Sequence, residues 1–306
     1  IGVSVCHHGA GFTGSGETFL ASRAALALTR KGEIRVLAAS TEIGQGTISM
    51  FTSLAARTLG VPEEWVTVER PDTGLVPDSG PTVASRTCMI VGALVERAAR
   101  RLRERILESG DRVPSSREEM ARLARRLCGK ERELRFEEDY VPPPEIEWDE
   151  KTYRGDAYPV YGYGATVVDL EVDRATFEIR VRRLIAAVDV GRALNRRLVE
   201  GQVMGGVTQA LGCALLENTE YRAGILQNPQ LTNNLNPTAL DTPPLDVTIV
   251  EKPYSRGPLG AKGVGELPMN VAAPAIVDAI HDAVGVWITE LPATSEKVLA
   301  ALEAEA

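Results

Sequence analysis

The chain has 306 residues, of which 34 are Lys or Arg and 42 are Asp or Glu, so its formal net charge is -8. This acidity argues against nucleic acid as the main partner. The length allows one or two domains with a large core, and a hydrophobic fraction of 44% is ordinary for a globular protein. No apolar run reaches the roughly 20 residues that a membrane span requires, so we expect no membrane span.

The four cysteines, Cys6, Cys88, Cys128 and Cys213, are far apart and form no C-x-x-C pair. Iron–sulfur or structural zinc ligation within this chain is therefore not expected. The three histidines are too few and too scattered to indicate a metal site. Free thiols fit a reducing compartment and no signal peptide is visible, so we expect a cytoplasmic protein.

Hydrophobic spacing and turn residues predict alternating strands and helices in the first half of the chain. The predicted elements are a strand from Gly2, a hairpin over 22–28 and 34–40, a helix over 47–59, a strand over 66–70, and helices over 82–107 and 115–127. Gly60 is a typical helix end, and Ser115 or Ser116 is a typical helix cap.

A charged segment over 129–155 contains three consecutive prolines, and we interpret it as an exposed connection between two lobes, residues 1–140 and 141–306. The elements predicted in the second lobe are paired strands over 161–173 and 176–190, a helix over 195–216, a strand over 247–251, and helices over 267–284 and 294–302. This mixture predicts an α+β fold, with mixed sheets and packed helices in two lobes.

Four short segments combine small residues with amide, hydroxyl or carboxylate side chains: 41–46, 81–87, 200–209 and 260–266. Glycine lets the backbone approach a ligand closely, and amides both donate and accept hydrogen bonds. Such segments suit a large ligand with ring nitrogens, carbonyls and phosphates. Glu266 ends the last segment before an apolar helix, where a lone carboxylate is also typical of a first turn favoured by the helix dipole.

Three glycines, Gly201, Gly205 and Gly206, fall within the helix predicted over 195–216. Because glycine has no side chain, they would let another helix or a cofactor approach the backbone of this helix closely. The spacing of Gln202 and Gln209 is two helical turns, which places both amides on one face.

Together and in this order, the four segments resemble the molybdenum hydroxylase family, which includes xanthine dehydrogenase and aldehyde oxidase. The resemblance covers about residues 2–302 and is to the C-terminal half of the molybdopterin-binding subunit. It implies that Glu266 is the catalytic general base. It also implies cofactor contacts from Gly44, Gln45, Gly46, Thr82, Ala84, Ser85, Thr87, Gln202, Lys262, Gly263 and Val264. Arg86 is left open between a cofactor contact and a salt-bridged cation at the helix start.

In this family the pterin dithiolene holds the molybdenum, so the resemblance implies no metal ligand from the protein. The implied reaction is a hydroxylation that takes its oxygen from water, and we favour an N-heterocycle such as a purine or nicotinate as the small-molecule substrate. Aldehyde oxidation within the same family and a non-catalytic role in assembly are alternatives. A hydrolase using Glu266 with Asp189 or Glu42 is disfavoured, because the sequence has no nucleophile elbow.

The N-terminal half of the family's molybdenum subunit is missing from this sequence, so the chain is interpreted as a natural split subunit or a fragment. The resemblance implies that a companion of the N-terminal-half type completes the site. It further implies a 2Fe-2S subunit and an FAD subunit that carry electrons away, in a dimer of such heteromers. The pterin would be present in its plain or its cytosine dinucleotide form.

Overall fold

The structure is a computed structural model that describes residues 1–230 and 232–305. Its strands are β1 (Gly2–Gly9), β2 (Arg23–Thr29), β3 (Ile34–Leu37), β4 (Val66–Val68), β5 (Glu133–Asp139), β6 (Trp148–Asp149), β7 (Arg154–Gly155), β8 (Tyr161–Val172), β9 (Ile179–Asp189), β10 (Tyr221–Arg222), β11 (Ile225–Leu226) and β12 (Leu245–Val250). Its helices are α1 (Gly16–Leu20), α2 (Thr47–Leu59), α3 (Gly92–Glu108), α4 (Arg117–Cys128), α5 (Arg196–Leu215), α6 (Leu267–Val284) and α7 (Ser295–Glu305).

The first sheet has the strand order β4-β3-β2-β5 and packs against α2, α3 and α4. Strands β2 and β3 form the predicted antiparallel hairpin, and β4 joins β3 in parallel. The core between the sheet and its helices contains fully buried apolar side chains such as Leu26, Phe51 and Leu94. Helix α2 ends at Gly60 in the left-handed conformation, as its sequence predicts.

The second sheet has the order β1-β8-β9-β12, with α5 and α6 packed against it and α7 joining the same core. Strands β8 and β9 form the predicted antiparallel pair, and β12 joins β9 in parallel. The N-terminal strand β1 pairs with β8 over its whole length, from Gly2 opposite Val168 to Gly9 opposite Tyr161. The predicted α+β fold, with mixed sheets and packed helices, is therefore confirmed.

The helix predicted over 82–107 is wrong in its first turn, because regular helix begins only after a π-helical turn at Thr87–Val91. Upstream of that turn, Ala84 and Ser85 adopt left-handed φ angles of +54° and +51°. Their backbone groups bond across the molecule instead, since Gly11 N donates to Ala84 O and Ala84 N donates to Glu266 Oε1. Tertiary partners thus replace the helical hydrogen bonds expected here.

The division into lobes at residue 140 stays a prediction. The pairing of β1 with β8 places the first strand of residues 1–140 in the sheet built mainly from residues 141–306. The second predicted lobe also includes residues 231 and 306, which lie outside the described residues. Among the helices that the structure describes, none is long and apolar enough to cross a membrane.

Candidate active site

The loop that ends in Glu266 is anchored to the second sheet through Lys262. The side chain of Lys262 is buried, and its Nζ lies 2.6 Å from Asp189 Oδ2 and 3.0 Å from the carbonyl oxygen of Tyr161. The backbone of Lys262 also donates to Val190 O. The loop is therefore held by the ends of β8 and β9, and the Lys262 ammonium group is engaged by Asp189 and Tyr161.

The glycines of β8 let α6 begin close to the sheet. A Cβ atom added at Gly162 or Gly164 would lie 3.2 or 3.1 Å from side-chain atoms of Leu267, the first residue of α6. Leu267 is fully buried in the core of the second sheet. Since Glu266 directly precedes Leu267, this packing fixes where the carboxylate can reach.

The left-handed segment at Ala84 and Ser85 meets Glu266 through two hydrogen bonds, and His8 adds a third polar contact from β1. The backbone N–H of Ala84 donates to Glu266 Oε1 at 3.1 Å, and the backbone N–H of Glu266 donates to Ser85 Oγ at 2.9 Å. Nε2 of His8 lies 3.6 Å from Glu266 Oε2. The Glu266 side chain is still 50% exposed, so within this chain it is held in place but open to solvent.

Buried Arg86 supports this segment from behind, and its role is the salt bridge left open as an alternative. Its guanidinium donates to both carboxylate oxygens of Glu17 at 2.8 and 2.7 Å, a bidentate pair. It also donates to the carbonyl oxygens of Ser79 and Pro81. Arg86 is fully buried and outside the cavity wall described below, so it positions its neighbour Ser85.

The loop over 41–46 is folded around its own side chains. Gln45 donates from Nε2 to Thr41 O and Thr47 Oγ1, and its Oε1 accepts from Ile43 N. The contact of Gln45 with a cofactor stays a prediction, and in this conformation both amide hydrogens already have acceptors in the loop.

Glu42 caps the N-terminus of α2 and accepts hydrogen bonds from the backbone of Gly44, Gly46 and Ile48. Burial opposes its ionisation, but the backbone donors outweigh this effect and hold the pKa of Glu42 below its ordinary value. Asp189 is likewise engaged, by Lys262 and the N–H of Gly191. Neither carboxylate is free to work beside Glu266, which disfavours the hydrolase alternative further.

A cavity of about 300 Å³ lies between the two sheet-and-helix layers and collects residues from all four predicted segments. Most of the predicted site residues line it: Gln45, Gly46, Thr82, Ser85, Thr87, Gln202, Lys262, Gly263, Val264 and Glu266. Gly44 and Ala84 are not part of its lining, although Ala84 touches the site by donating to Glu266. The predicted roles of these residues as cofactor contacts stay predictions.

The cavity wall presents donors that have no acceptor among the residues described. They include the amide of Gln202 and three consecutive backbone N–H groups, at Gly263, Val264 and Gly265. Within residues 1–230 and 232–305, no group of three or more His, Cys, Asp or Glu side chains could hold a metal ion. This donor set fits an organic ligand rich in oxygen and nitrogen acceptors, and it fits a cofactor that brings its own metal ligands.

Sequence reasoning did not find His8, which lies against the site from β1. Its Nε2 is 3.0 Å from Ser85 Oγ, and its Nδ1 is 3.2 Å from Asn270 Nδ2 on α6. Burial lowers the pKa of His8, and the nearby Glu266 carboxylate offsets part of that effect. Its neighbour His7 is exposed, so alternation along a strand was the available signal that one of the two points inward.

Fold and cavity together define a protein with a site for an organic ligand and one carboxylate held at its wall. The family model of the molybdopterin cofactor-binding domain matches residues 1–243. The chain belongs to the molybdenum hydroxylase family and forms part of a molybdopterin-binding subunit, as the sequence motifs indicated.

Relatives agree with this assignment. The chain is 31% identical to aldehyde oxidoreductase of Megalodesulfovibrio gigas, over 99% of this chain and 32% of that protein. It is 30% identical to the putative xanthine dehydrogenase molybdenum-binding subunit of Escherichia coli K12, over 90% of this chain and 38% of that protein. The solved structure of aldehyde oxidoreductase from Desulfovibrio gigas superposes with a TM-score of 0.82 at 30% identity, covering 99% of this chain and 32% of that one. The chain thus spans about a third of the length of these relatives.

Proposed function

We propose that this chain is the cofactor-binding part of a molybdenum hydroxylase that hydroxylates an N-heterocycle, such as a purine or nicotinate, with water as the oxygen source. The observation that carries the proposal is Glu266 at the wall of a cavity where the Gln202 amide and the N–H groups of Gly263, Val264 and Gly265 have no acceptor within the described chain. The similarity to a putative xanthine dehydrogenase subunit supports a heterocyclic substrate.

The chain's own residues divide into those that hold the cofactor and the one that moves a proton. Molybdopterin, in its plain or cytosine dinucleotide form, would supply the redox chemistry when bound. The Gln202 amide and the N–H groups of Gly263, Val264 and Gly265 would donate to its acceptor atoms. Glu266 would accept a proton at Oε2, because Oε1 already accepts from Ala84 N. Companion chains must close the half-exposed site before it can exclude water.

Electrons released by the reaction need carriers outside this chain. We expect a 2Fe-2S subunit and an FAD subunit, together with a companion of the N-terminal-half type, in a dimer of such heteromers. The apolar side chains at the cavity mouth support a companion, since Ile43 is 78% exposed and Val83 49% exposed there. We place the assembly in the cytoplasm because the four cysteines are free.

The decisive test is Glu266→Gln in the intact protein that carries this chain, purified with the chains that accompany it. We expect turnover of the best heterocyclic substrate to fall by roughly 10²–10⁴-fold, with molybdenum and pterin contents unchanged. Glu290→Gln is the matched control, because that carboxylate is 83% exposed and pairs only with Lys297 in the described chain. Full activity in Glu266→Gln would refute the assignment of the base.

Aldehyde oxidation is the second candidate, favoured by the similarity to aldehyde oxidoreductase over nearly the whole chain. Side-by-side kcat/KM values for purines, nicotinate and aromatic aldehydes would decide between the two substrate classes. A parent protein that contains molybdenum but turns over neither class would favour the non-catalytic assembly role.

A further inference from the structure

Three elements that are distant in sequence bring four polar side chains together beside the cavity. His8 comes from β1, Ser85 from the left-handed segment, and Glu266 and Asn270 from the start of α6. The His8 side chain is 13% exposed, whereas the Glu266 side chain is 50% exposed. The imidazole is therefore the more buried of the two groups, and His8 lies behind Ser85 and Glu266, which belong to the cavity wall.

The hydrogen bonds of this group define the tautomer of His8. The Asn270 amide nitrogen donates to Nδ1, so the neutral ring carries its proton at Nε2. An imidazolium would place an N–H at Nδ1 against that amide donor. Glu266 is the charged group that faces His8, and Ser85 and Asn270 are the uncharged polar groups around it. Both burial and the Asn270 contact thus favour the neutral ring.

Ser85 consequently has both acceptor positions filled. Its Oγ accepts from the backbone N–H of Glu266 at 2.9 Å and from His8 Nε2–H at 3.0 Å. A hydroxyl has one donor and two acceptor lone pairs. The Ser85 hydroxyl can therefore form a further hydrogen bond only by donating its proton. Ser85 lines the cavity.

We infer that His8 is a positioning residue: its neutral imidazole fixes the Ser85 hydroxyl as a donor and, through Ser85, supports the backbone N–H of Glu266 without adding a positive charge beside the carboxylate. This inference rests on the proposed role of Glu266 as the base. Protonation of His8 would break the Asn270 contact and place a cation 3.6 Å from the carboxylate. Such an ion pair would draw Glu266 toward β1 and make it a poorer proton acceptor.

The first experiment needs no turnover. Histidine C2-hydrogen exchange followed by mass spectrometry measures the pKa of His8 in the intact protein. The His7→Gln background leaves His8 as the only histidine of strand β1. We expect a pKa below the ordinary value of about 6.5, and a still lower one in His7→Gln/Glu266→Gln, because the carboxylate that raises it is removed. Equal pKa values in the two proteins would overturn the coupling.

The second experiment separates positioning from folding. His8→Ala should lower kcat by about tenfold to a hundredfold, with little change in KM or in molybdenum content. His8→Gln should regain most of kcat, since its amide can still donate to Ser85, and should lose the His8 contribution to the acid limb of the pH profile. His7→Ala, on the exposed side of β1, should match the parent. Full kcat in His8→Ala overturns the inference, whereas full kcat in Glu266→Gln would instead defeat the proposed function.

Discussion

Arg86 is a buried residue that supports a segment of the cavity wall without lining the cavity itself. Its guanidinium is fully buried and bonds to Glu17, Ser79, Pro81 and Ser22, while Ser85 beside it lines the cavity. The left-handed conformations of Ala84 and Ser85 cost on the order of 1–3 kcal/mol each. The bidentate pair of Arg86 with Glu17 lies directly beside them and ties the segment to α1.

Removing the charge of Glu17 should therefore destabilise the folded protein strongly. Glu17→Gln leaves the Arg86 cation buried without its counter-charge, and we expect the free energy of unfolding to fall by about 3–5 kcal/mol. Asp246→Asn is the control, because the Arg183–Asp246 pair is more than half exposed and should contribute at most about 1 kcal/mol. Denaturant unfolding of both variants measures the difference. Similar values for the two variants would contradict the role given to the buried pair.

Cys88 lines the cavity but should not take part in its chemistry. Burial raises the pKa of its thiol to about 12. At pH 8.5 roughly one thiol in three thousand is then ionised, and only the thiolate is an effective nucleophile. We expect iodoacetamide to label Cys88 more than a hundredfold more slowly than free cysteine, and to label it fully after denaturation. Rapid labelling of the folded protein would show that the thiol is not protected.

Within helix α5, the three glycines Gly201, Gly205 and Gly206 have different surroundings. Only Gly206 of the three provides close approach, since a Cβ added there would lie 2.9 Å from Pro268 Cβ at the start of α6. Added Cβ atoms at Gly201 and Gly205 would meet nothing within 4 Å. The close approach expected of these glycines is thus a helix-packing contact of Gly206 with Pro268, which follows Glu266 by two positions in the sequence.

Two alanine substitutions in α5 should consequently have opposite effects. Gly206→Ala should push the start of α6 away and lower stability by about 1–3 kcal/mol, and it should reduce turnover because Glu266 moves with α6. Gly205→Ala should raise stability by roughly 0.5–1 kcal/mol, since it relieves a helical glycine without a clash. Thermal unfolding compares the two, and the same sign for both would disprove this account of the packing.

Helix ends were predictable where their signals are local. Leu267–Val284 is helical as predicted, with Pro268 in the first turn and Gly285 at its end. Ser116 caps α4 by accepting from Glu119 N, also as expected. The start of α3 was missed because its alternative hydrogen-bond partners, Gly11 and Glu266, lie far away in sequence.

For the molecule as a whole, the open side of the cavity is the surface where a companion chain would bind. Ile43, Val83 and Leu198 are exposed where they line the cavity, and the site's carboxylate is half-exposed. The chain covers about a third of its relatives' length. The proposed companion would cover these apolar side chains and exclude water from the site.

Ile43→Asp should weaken that closure. We expect the variant to co-purify with less companion chain and to retain less molybdenum, because a charge would be buried at the interface. Leu240→Asp changes an equally apolar residue that is 97% exposed and outside the cavity wall, and it should leave both quantities unchanged. Metal analysis and subunit ratios test this, and equal losses in both variants would point to general misfolding.

The sequence by itself determined the family, the α+β fold class and the segments that meet at the cavity. These depend on glycine, proline, cap and amide residues at short spacing, whose preferences act within a few residues. Only the tertiary structure decided that β1 joins β8, that Ala84 and Ser85 leave the helix, and that His8 reaches Ser85 and Glu266. Those outcomes depend on partners between 73 positions (Gly11 to Ala84) and 258 positions (His8 to Glu266) apart along the chain, and local propensities carry no information about such contacts.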